Sequence, residues 1–463
     1  MKDIKHLPGL YDQISDLVEP YQAYLVGGAV RDLLLGAPAH DLDFAFPKDP
    51  LTAARSVADQ LGGAFFVLDQ ERETARVLLK DEAGERMMVD FTLFQGASIE
   101  DDLGARDFTI TSMAIMVGGE GEIIDPFHGA QDLKDGLLRA TTAGSLENDP
   151  LRCLRALRLA AQFGLMILPE TKAQIRKYGP KLGDISPERI RDELFRILEG
   201  PKQTAVLQSL EILGLRPHVF LDEIDDDQVS AVRFLEELWE LFIQEHDQDR
   251  AANWSLALLV HRLGRFRPQL RSYLKNEPVP DRNIYQLSFI AALLMHDREG
   301  KRTEDLRKVL PLSNQEWEIL VQSPGAAGRI LHFSRAGENP QPIDIYRYFR
   351  QYGAAGVLGV FLALSAAYLE FKNEADQQGW ITILEINRSF LEGWWEKRDQ
   401  WVDPPVLLNG DDIQSEFKLS PGPRIGQLLE LLREAQIERG ISTRLDAIEY
   451  LGKMADPLDE TAL

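Results

Sequence analysis

A short segment near the start of the chain constrains the local fold most tightly. The apolar run 24–26 leads into Gly27 and Gly28, and helix-compatible periodicity resumes over residues 30–35. This pattern predicts a strand, a glycine turn and a helix in succession. A glycine turn at a helix N-terminus presents free backbone N–H groups, which favour a bound phosphate. Arg31 follows in the first helical turn, where its guanidinium can make a forked contact to a phosphate.

Two aspartates follow on the next predicted strand, over residues 41–46. Residues two apart in a strand point to the same face, so Asp41 and Asp43 project side by side while Leu42 and Phe44 point into a core. Paired carboxylates suit Mg²⁺, which combines a few carboxylate oxygens with substrate phosphates. A lone pair of this kind is more often two solvated acids. The glycine turn just upstream favours a polymerase-type metal site, with Asp41 and Asp43 as catalytic metal ligands.

These residues resemble the signature of a known family. Residues 25–46 look like the motif of class II tRNA nucleotidyltransferases, polymerase-β-like enzymes that build the CCA end of tRNA without a template. Three later segments, 105–112, 123–129 and 147–158, are also similar and follow in the expected order. The resemblance implies Mg²⁺ as cofactor, with the tRNA 3′ end and CTP (ATP possible) as partners. It implies that the triphosphate is positioned by Gly28, Arg31, Arg106, Arg155 and Arg158, and the base selected by Asp149 with Arg152.

The chain departs from the family pattern at three positions. Ala105 stands for an arginine, Thr111 for an asparagine and Asn148 for a glutamate. Asparagine keeps an acceptor oxygen but loses the charge. In the family, the block that matches residues 105–112 recognises the ribose and supports the triphosphate. Because two of the departures fall in this block, sugar recognition is less clearly specified than metal binding.

Further charged residues belong to the predicted site. Asp149, Arg152, Arg155 and Arg158 recur at intervals of three, which predicts that they share one helix face. Asp90, on a later predicted strand, is either a third carboxylate of the polymerase-β type or an ordinary strand-face acid.

The alternation of strand-like and helical segments predicts an α+β fold. The resemblance implies an N-terminal polymerase-β-like head, built on a mixed or antiparallel sheet, followed by an elongated all-α neck, body and tail. The predicted strands cover residues 24–26, 41–46, 64–68, 76–79, 87–94 and 110–117, and helical periodicity dominates from residue 151. The domains that the resemblance implies are a nucleotidyltransferase head over 1–140, a helical neck over 141–220 that recognises base and triphosphate, a helical body over 221–400 and a helical tail over 401–463 that contacts tRNA.

Composition restricts the function further. The formal net charge of −23 is unusual for a protein that binds nucleic acid, yet residues 151–216 hold 12 Lys and Arg against 7 Asp and Glu. This distribution fits a nucleic acid held at its end. Cys153 is the only cysteine, which excludes an intramolecular disulfide. No apolar run reaches membrane-spanning length and residues 1–3 do not begin a secretory signal, so we expect a cytoplasmic protein without membrane association.

The connection after the predicted strand 87–94 carries the most specific prediction. Only Gln95, Gly96 and Ala97 precede the segment that leads to Arg106. CCA-adding and A-adding members of the resembled family have a longer flexible loop here, and CC-adding members lack it. The chain is therefore predicted to add CC to tRNA and to leave the adenosine to an A-adding partner enzyme. The alternatives are a full CCA-adding enzyme, a poly(A) polymerase, and a non-catalytic RNA-binding protein on a degenerate polymerase scaffold.

Overall fold

The computed structural model describes most of the chain, in two compact units. The described residues are 7, 9–39, 41–80, 84, 86–220, 223–243, 254–295, 297, 300–372 and 377–455. The first unit is Met1–Val219 and the second is Phe220–Leu463.

The first unit is built on a mixed sheet. Its strands are β1 Tyr24–Val26, β2 Leu42–Phe46, β3 Ala64–Asp69, β4 Thr74–Lys80, β5 Arg86–Leu93, β6 Ala114–Met116 and β7 Ile123–Ile124, with a separate pair formed by β8 Leu137–Leu138 and β9 Met166–Ile167. The seven-stranded sheet has the order β3-β4-β5-β2-β1-β6-β7. Strands β2 and β5 run parallel, and the other neighbours in this sheet are antiparallel. The predicted α+β class with a mixed sheet is confirmed.

Helices surround this sheet and continue beyond it. In the first unit they are α1 Tyr11–Val18, α2 Gly28–Leu35, α3 Pro50–Leu61, α4 Ile99–Ala105, α5 Gly129–Asp135, α6 Ser145–Asn148, α7 Arg152–Phe163, α8 Pro169–Tyr178, α9 Pro187–Glu199 and α10 Gln203–Ile212. Short 3₁₀ turns occur at Glu19–Tyr21, Thr109–Thr111, Gly179–Asp184 and Arg216–His218.

The alternation of β2 separates a core face from a functional face. Phe44 and Phe46 are fully buried and pack on Phe91, with ring centroids 6.1 and 5.8 Å apart. Asp43, which directly precedes Phe44 on β2, points to the opposite face. Burial of these aromatic rings thus fixes the register that presents the carboxylate.

The predicted strand 110–117 is wrong in its first half. Residues 109–111 form a 3₁₀ turn, and β6 begins only at residue 114. Here the Thr109 hydroxyl donates to the Asp132 carboxylate (2.8 Å), and the Ser112 hydroxyl donates to the Phe108 carbonyl (2.9 Å). Hydroxyl side chains that bond locally compete with the hydrogen bonds of a sheet ladder.

In the second unit, the described secondary structure is helical apart from an isolated bridge between Val279 and Arg282. Its helices are α11 Asp226–Ile243, α12 Trp254–Leu263, α13 Arg267–Leu274, α14 Ile284–Leu293, α15 Lys301–Val309, α16 Asn314–Ala336, α17 Pro342–Tyr352, α18 Ala355–Lys372, α19 Gln377–Trp395, α20 Arg398–Trp401, α21 Gly410–Phe417, α22 Pro423–Arg439 and α23 Arg444–Ala455, with a 3₁₀ turn at Gly264–Phe266. A Cβ added at Gly359 of α18 would lie 2.5 Å from the Ala326 Cβ of α16. Glycine therefore allows these two helices to pack closely.

Among the described helices, none is by itself long and apolar enough to cross a membrane. The pair Pro342–Tyr352 and Ala355–Phe371 reaches the required length and composition only together, across a bend of 110°.

Candidate active site

The glycine turn lies where the sequence predicts it. Gly27 follows β1 with φ +73°, a conformation that favours glycine, and α2 begins at Gly28. A Cβ at Gly27 would lie 3.1 Å from Nη1 of Arg106 and 3.3 Å from Oδ2 of Asp43. The turn therefore places the Gly27 backbone next to the Arg106 guanidinium and the Asp43 carboxylate. A side chain at position 27 would fill part of the space between them.

An acidic edge forms beside this turn. Strand β2 pairs with β5 so that Asp43 lies directly opposite Asp90. Asp41 precedes the first residue of β2 and is exposed, so it lies just outside the strand predicted to hold it. Asp90 is bound by both Nε and Nη2 of Arg76, at 2.7 and 2.8 Å. The sheet thus places Asp90 next to the predicted metal ligands, although an arginine already neutralises it.

The electrostatics of Asp43 fit a divalent cation. Burial raises the pKa of Asp43, Asp90 and Asp41 raise it further, and Arg106 and Arg155 act in the opposite direction. Carboxylate oxygens are the ligands that hard divalent cations prefer. Within the described ranges, no three His, Cys, Asp or Glu side chains are gathered into a complete metal site. Two carboxylates that complete their ligand sphere with substrate phosphates fit this arrangement.

Arg31 is buried and already has partners. Its Nε donates to Oδ1 of Asp32 at 2.8 Å, and its guanidinium lies 4.2 Å from the ring centroid of Phe163. A Cβ at Gly28 would lie 3.4 Å from Nη2 of Arg31. The side chain therefore links α2 to α7, and its contact with a triphosphate stays a prediction.

The three arginines of α7 are each held by an oxygen partner. Arg152 donates to the Ala105 carbonyl at 2.9 Å and to both oxygens of Ser145 at 3.1 Å. Arg158 donates to Oε1 of Glu193 at 2.6 Å. Between them Cys153 is buried, and burial raises the pKa of its thiol to about 12. Helix α7 thus turns its apolar residues inward and fixes its arginines in place.

Asp149 does not share the helix face with these arginines, which corrects the prediction from spacing. Helix α7 begins at Arg152, and Asp149 is extended, with φ −146° and ψ 98°. Pro150 explains the difference, because a residue before proline is driven out of helical geometry. Asp149 instead accepts a hydrogen bond from Nη2 of Arg189 at 2.8 Å. Arg189 is a site residue that the spacing argument missed.

Asp107 is a second missed residue. It is buried, and its carboxylate forms an ion pair with Arg155 at 2.5 Å. It also accepts from the Thr111 hydroxyl at 2.5 Å and the Phe108 N–H at 2.9 Å. Burial would raise the pKa of Asp107, but Arg155, these two hydrogen bonds and Arg152 together lower it. The departure at Thr111 is thus accommodated, because threonine still supplies a donor.

The other two departures are tolerated for different reasons. Ala105 contributes its backbone carbonyl to Arg152, which requires no particular side chain. Asn148 is exposed at the end of α6. Its neighbour Glu147 accepts from the Tyr178 hydroxyl at 2.9 Å and from Lys181 at 3.2 Å.

A cleft of about 430 Å³ in the first unit gathers many of these groups. Its lining residues are Arg106, Asp107, Asp149, Leu151, Arg152, Arg155, Arg189, Asp192, Glu193 and Arg196. Four predicted residues therefore meet in one cleft, whereas Gly28, Arg31, Asp41, Asp43 and Arg158 are outside its lining. The size and the alternating charges suit a polar ligand of nucleotide dimensions.

Comparison with known proteins identifies the family. The Poly A polymerase head domain matches residues 23–139, and the probable RNA and SrmB-binding site of polymerase A matches residues 164–226. The chain is 32% identical over 434 residues to the CC-adding tRNA nucleotidyltransferase of Geobacter sulfurreducens, covering 94% of this chain and 92% of the relative. This chain belongs to the tRNA nucleotidyltransferase family.

The enzyme resembles members with different specificities. It is 31% identical over 454 residues to the A-adding tRNA nucleotidyltransferase of Deinococcus radiodurans, which covers 94% of this chain and 96% of the relative. A solved CCA-adding enzyme in its apo form superposes with a TM-score of 0.68 at 19% identity, over 98% of this chain and 95% of that chain. The fold and the membership of this enzyme family are therefore confirmed.

Proposed function

We propose that this nucleotidyltransferase adds two cytidine nucleotides to the 3′ end of tRNA and leaves the terminal adenosine to a partner enzyme. CC-adding and A-adding relatives are about equally similar to it. The family supports the tRNA substrate, but the choice of nucleotide needs a separate argument.

The short connection between β5 and α4, residues 94–98, carries that argument. Asp101 accepts hydrogen bonds from the N–H groups of Ala97 and Ser98 at 3.0 and 3.2 Å. Asp102 accepts one from the N–H of Gln95 at 3.0 Å. A connection this short and this tightly anchored has no spare length with which to reshape a base pocket. It therefore favours an enzyme with a single, fixed pocket.

The proposed chemistry is an in-line displacement. The 3′-oxygen of tRNA attacks the α-phosphorus of CTP, the bond to the β-phosphate oxygen breaks, and pyrophosphate departs. Asp41 and Asp43 are proposed to hold Mg²⁺, which when bound lowers the pKa of the 3′-hydroxyl and neutralises the leaving group. Arg106 and Arg155 supply positive charge beside Asp43. No side-chain nucleophile is required.

The proposed base contacts come from Asp149 and Arg152. Cytosine offers an amino donor next to two acceptors, so a carboxylate and a guanidinium complement its edge. Uracil has an acceptor in place of the amino group and an N3–H donor in place of one acceptor, so at these two positions neither the carboxylate nor the guanidinium would find its complement. Arg189 orients Asp149 through its ion pair at 2.8 Å. These three residues line one cleft and are proposed to select cytosine together.

Primer extension with the full-length protein tests the proposal. A tRNA lacking its CCA end is incubated with Mg²⁺ and CTP, ATP, or both, and the products are separated at single-nucleotide resolution. We expect two added nucleotides with CTP, none with ATP, and two with the mixture. A third nucleotide from the mixture would overturn the CC restriction.

The same assay separates the other functions. Long ATP-derived tails on an unrelated RNA would indicate a poly(A) polymerase. RNA binding without any incorporation would indicate a non-catalytic protein. Omission of Mg²⁺ in the presence of a chelator should stop addition, and addition that continues would refute the metal assignment.

A further inference from the structure

Asp102 lies between the short connection and the site of transfer. Its side chain is only 4% exposed, near the middle of α4. Its Oδ1 accepts from the Gln95 N–H at 3.0 Å, while its Oδ2 accepts from Nε and Nη2 of Arg106 at 3.1 and 3.0 Å. One carboxylate oxygen thus serves the connection and the other serves the arginine.

This contact leaves one guanidinium nitrogen of Arg106 directed elsewhere. Nη1 of Arg106 lies 3.1 Å from the position that a Cβ on Gly27 would take, and Oδ2 of Asp43 lies 3.3 Å from the same position. A guanidinium is a rigid planar fork. Fixing Nε and Nη2 therefore also fixes the direction in which Nη1 points.

We propose that Asp102 is a positioning residue, which couples the length of connection 94–98 to the placement of Arg106 beside Gly27 and Asp43. The proposal rests on the proposed function, because the ligand proposed for Nη1 is the CTP triphosphate. A longer connection would shift the Gln95 N–H and with it the carboxylate that holds Arg106. In this way the connection acts on the triphosphate as well as on the base.

The neighbouring carboxylate provides a matched control. Asp101 also accepts N–H groups from the connection, but its contacts are with Ala97 and Ser98 and none with Arg106 is present. Asp101→Asn and Asp102→Asn make the same chemical change at adjacent residues of one helix. Both substitutions weaken hydrogen bonds to connection 94–98. Only the second weakens the hold on Arg106.

Steady-state kinetics of CMP addition distinguish the two roles. We expect Asp102→Asn to raise the KM for CTP by roughly ten- to a hundredfold, since a displacement of about 1 Å at a reacting ligand has effects of that size. The KM for tRNA should not change, and Asp101→Asn should match the wild type. In an Arg106→Ala background, Asp102→Asn should have little further effect, because the two residues act as one unit.

Equal effects of Asp101→Asn and Asp102→Asn, or a full Asp102→Asn effect without Arg106, would overturn the proposal. If Asp102→Asn does not fold, Gln95→Pro decides in its place, because it removes the N–H that Asp102 accepts and leaves the Asp102 carboxylate intact. Ala97→Pro is its control, and the same CTP-specific difference is expected. A wild-type enzyme without CMP addition would instead refute the proposed function, so the two failures are distinguishable.

Discussion

The acidic edge of the sheet and the arginine face of α7 lie in the same unit but differ in their charge balance. At the edge, Asp43 faces Asp90 across the strand pair, and its pKa is raised by burial and by both neighbouring aspartates. On the helix side, Asp107 is buried, yet its pKa is lowered because Arg155 and several donors outweigh burial. At the edge, Arg106 and Arg155 do not outweigh burial and the neighbouring carboxylates, whereas on the helix side the arginines and hydrogen bonds do.

This difference separates two ways of preparing a site. Charges that are paired before substrate arrives need no rearrangement during the reaction, which makes them effective for positioning. A carboxylate whose pKa is raised has a destabilised negative charge, so a bound cation stabilises it strongly. The edge is thus suited to binding a metal, and the helix to fixing a nucleotide.

The strongest test of this comparison is removal of the edge carboxylate. Asp43→Ala should lower CMP addition by about a hundred- to a thousandfold or more, because transition-state charge loses its stabilisation. Binding of tRNA, measured by filter retention, should be largely unchanged. The exposed Asp135→Ala serves as control and should keep full activity. Turnover retained in both Asp43→Ala and Asp41→Ala would contradict the metal assignment.

On the helix side, removal of an arginine should lower the stability of the fold. Arg155→Ala leaves Asp107 buried without its ion-pair partner, which should cost about 2–4 kcal/mol. The midpoint of the first thermal transition should fall by roughly 5–10 °C. Arg196, which is 63% exposed and 4.0 Å from Glu193, provides the comparison. Loss of this exposed pair should cost less than about 1 kcal/mol, and equal shifts in both variants would remove the distinction.

A smaller effect is expected at the base pocket. Arg189→Ala frees Asp149 from its ion pair, so the carboxylate should orient less well toward cytosine. We expect the ratio of kcat/KM for CTP over UTP to fall by about tenfold, the scale of one misplaced polar contact. Arg191→Ala, which removes an ion pair with Asp192 instead, should leave the ratio unchanged. An unaltered ratio in Arg189→Ala would show that Asp149 does not need this partner.

The smallest effect is the pH dependence of stability without metal. An ordinary aspartate has a pKa of ~3.9, and the pKa of Asp43 is raised in the folded state. Between these two values the folded protein keeps a proton that the unfolded chain has released, so this group's contribution to stability falls as pH rises. Thermal midpoints in a chelator should show this slope in the wild type relative to Asp43→Asn. Added Mg²⁺ should oppose the slope, and identical profiles for the two proteins would contradict it.

The sequence predicts the local backbone of this site better than the hydrogen bonds and ion pairs between its distant residues. The strand, glycine turn and helix at Gly27 follow from neighbouring residues, as does the pairing of apolar and acidic faces on β2. Pro150 indicates locally that Asp149 is extended, but the three-residue spacing of Asp149 and the arginines of α7 favoured a shared helix face instead. By contrast, one partner of Arg152 lies 47 residues away at Ala105, and the carboxylate partner of Arg158 lies 35 residues away at Glu193. Such pairs form only when distant elements pack, so no local pattern reveals them.

The buried thiol in α7 has a practical consequence for experiments on this enzyme. Cys153 is the only cysteine in the chain, and burial raises its pKa to about 12. Maleimide reagents attack the thiolate, which this residue scarcely forms at neutral pH. A cysteine introduced at an exposed position would therefore be labelled selectively in the otherwise native sequence. Fluorophores could be attached to the enzyme without first replacing a residue that packs between the arginines of its site.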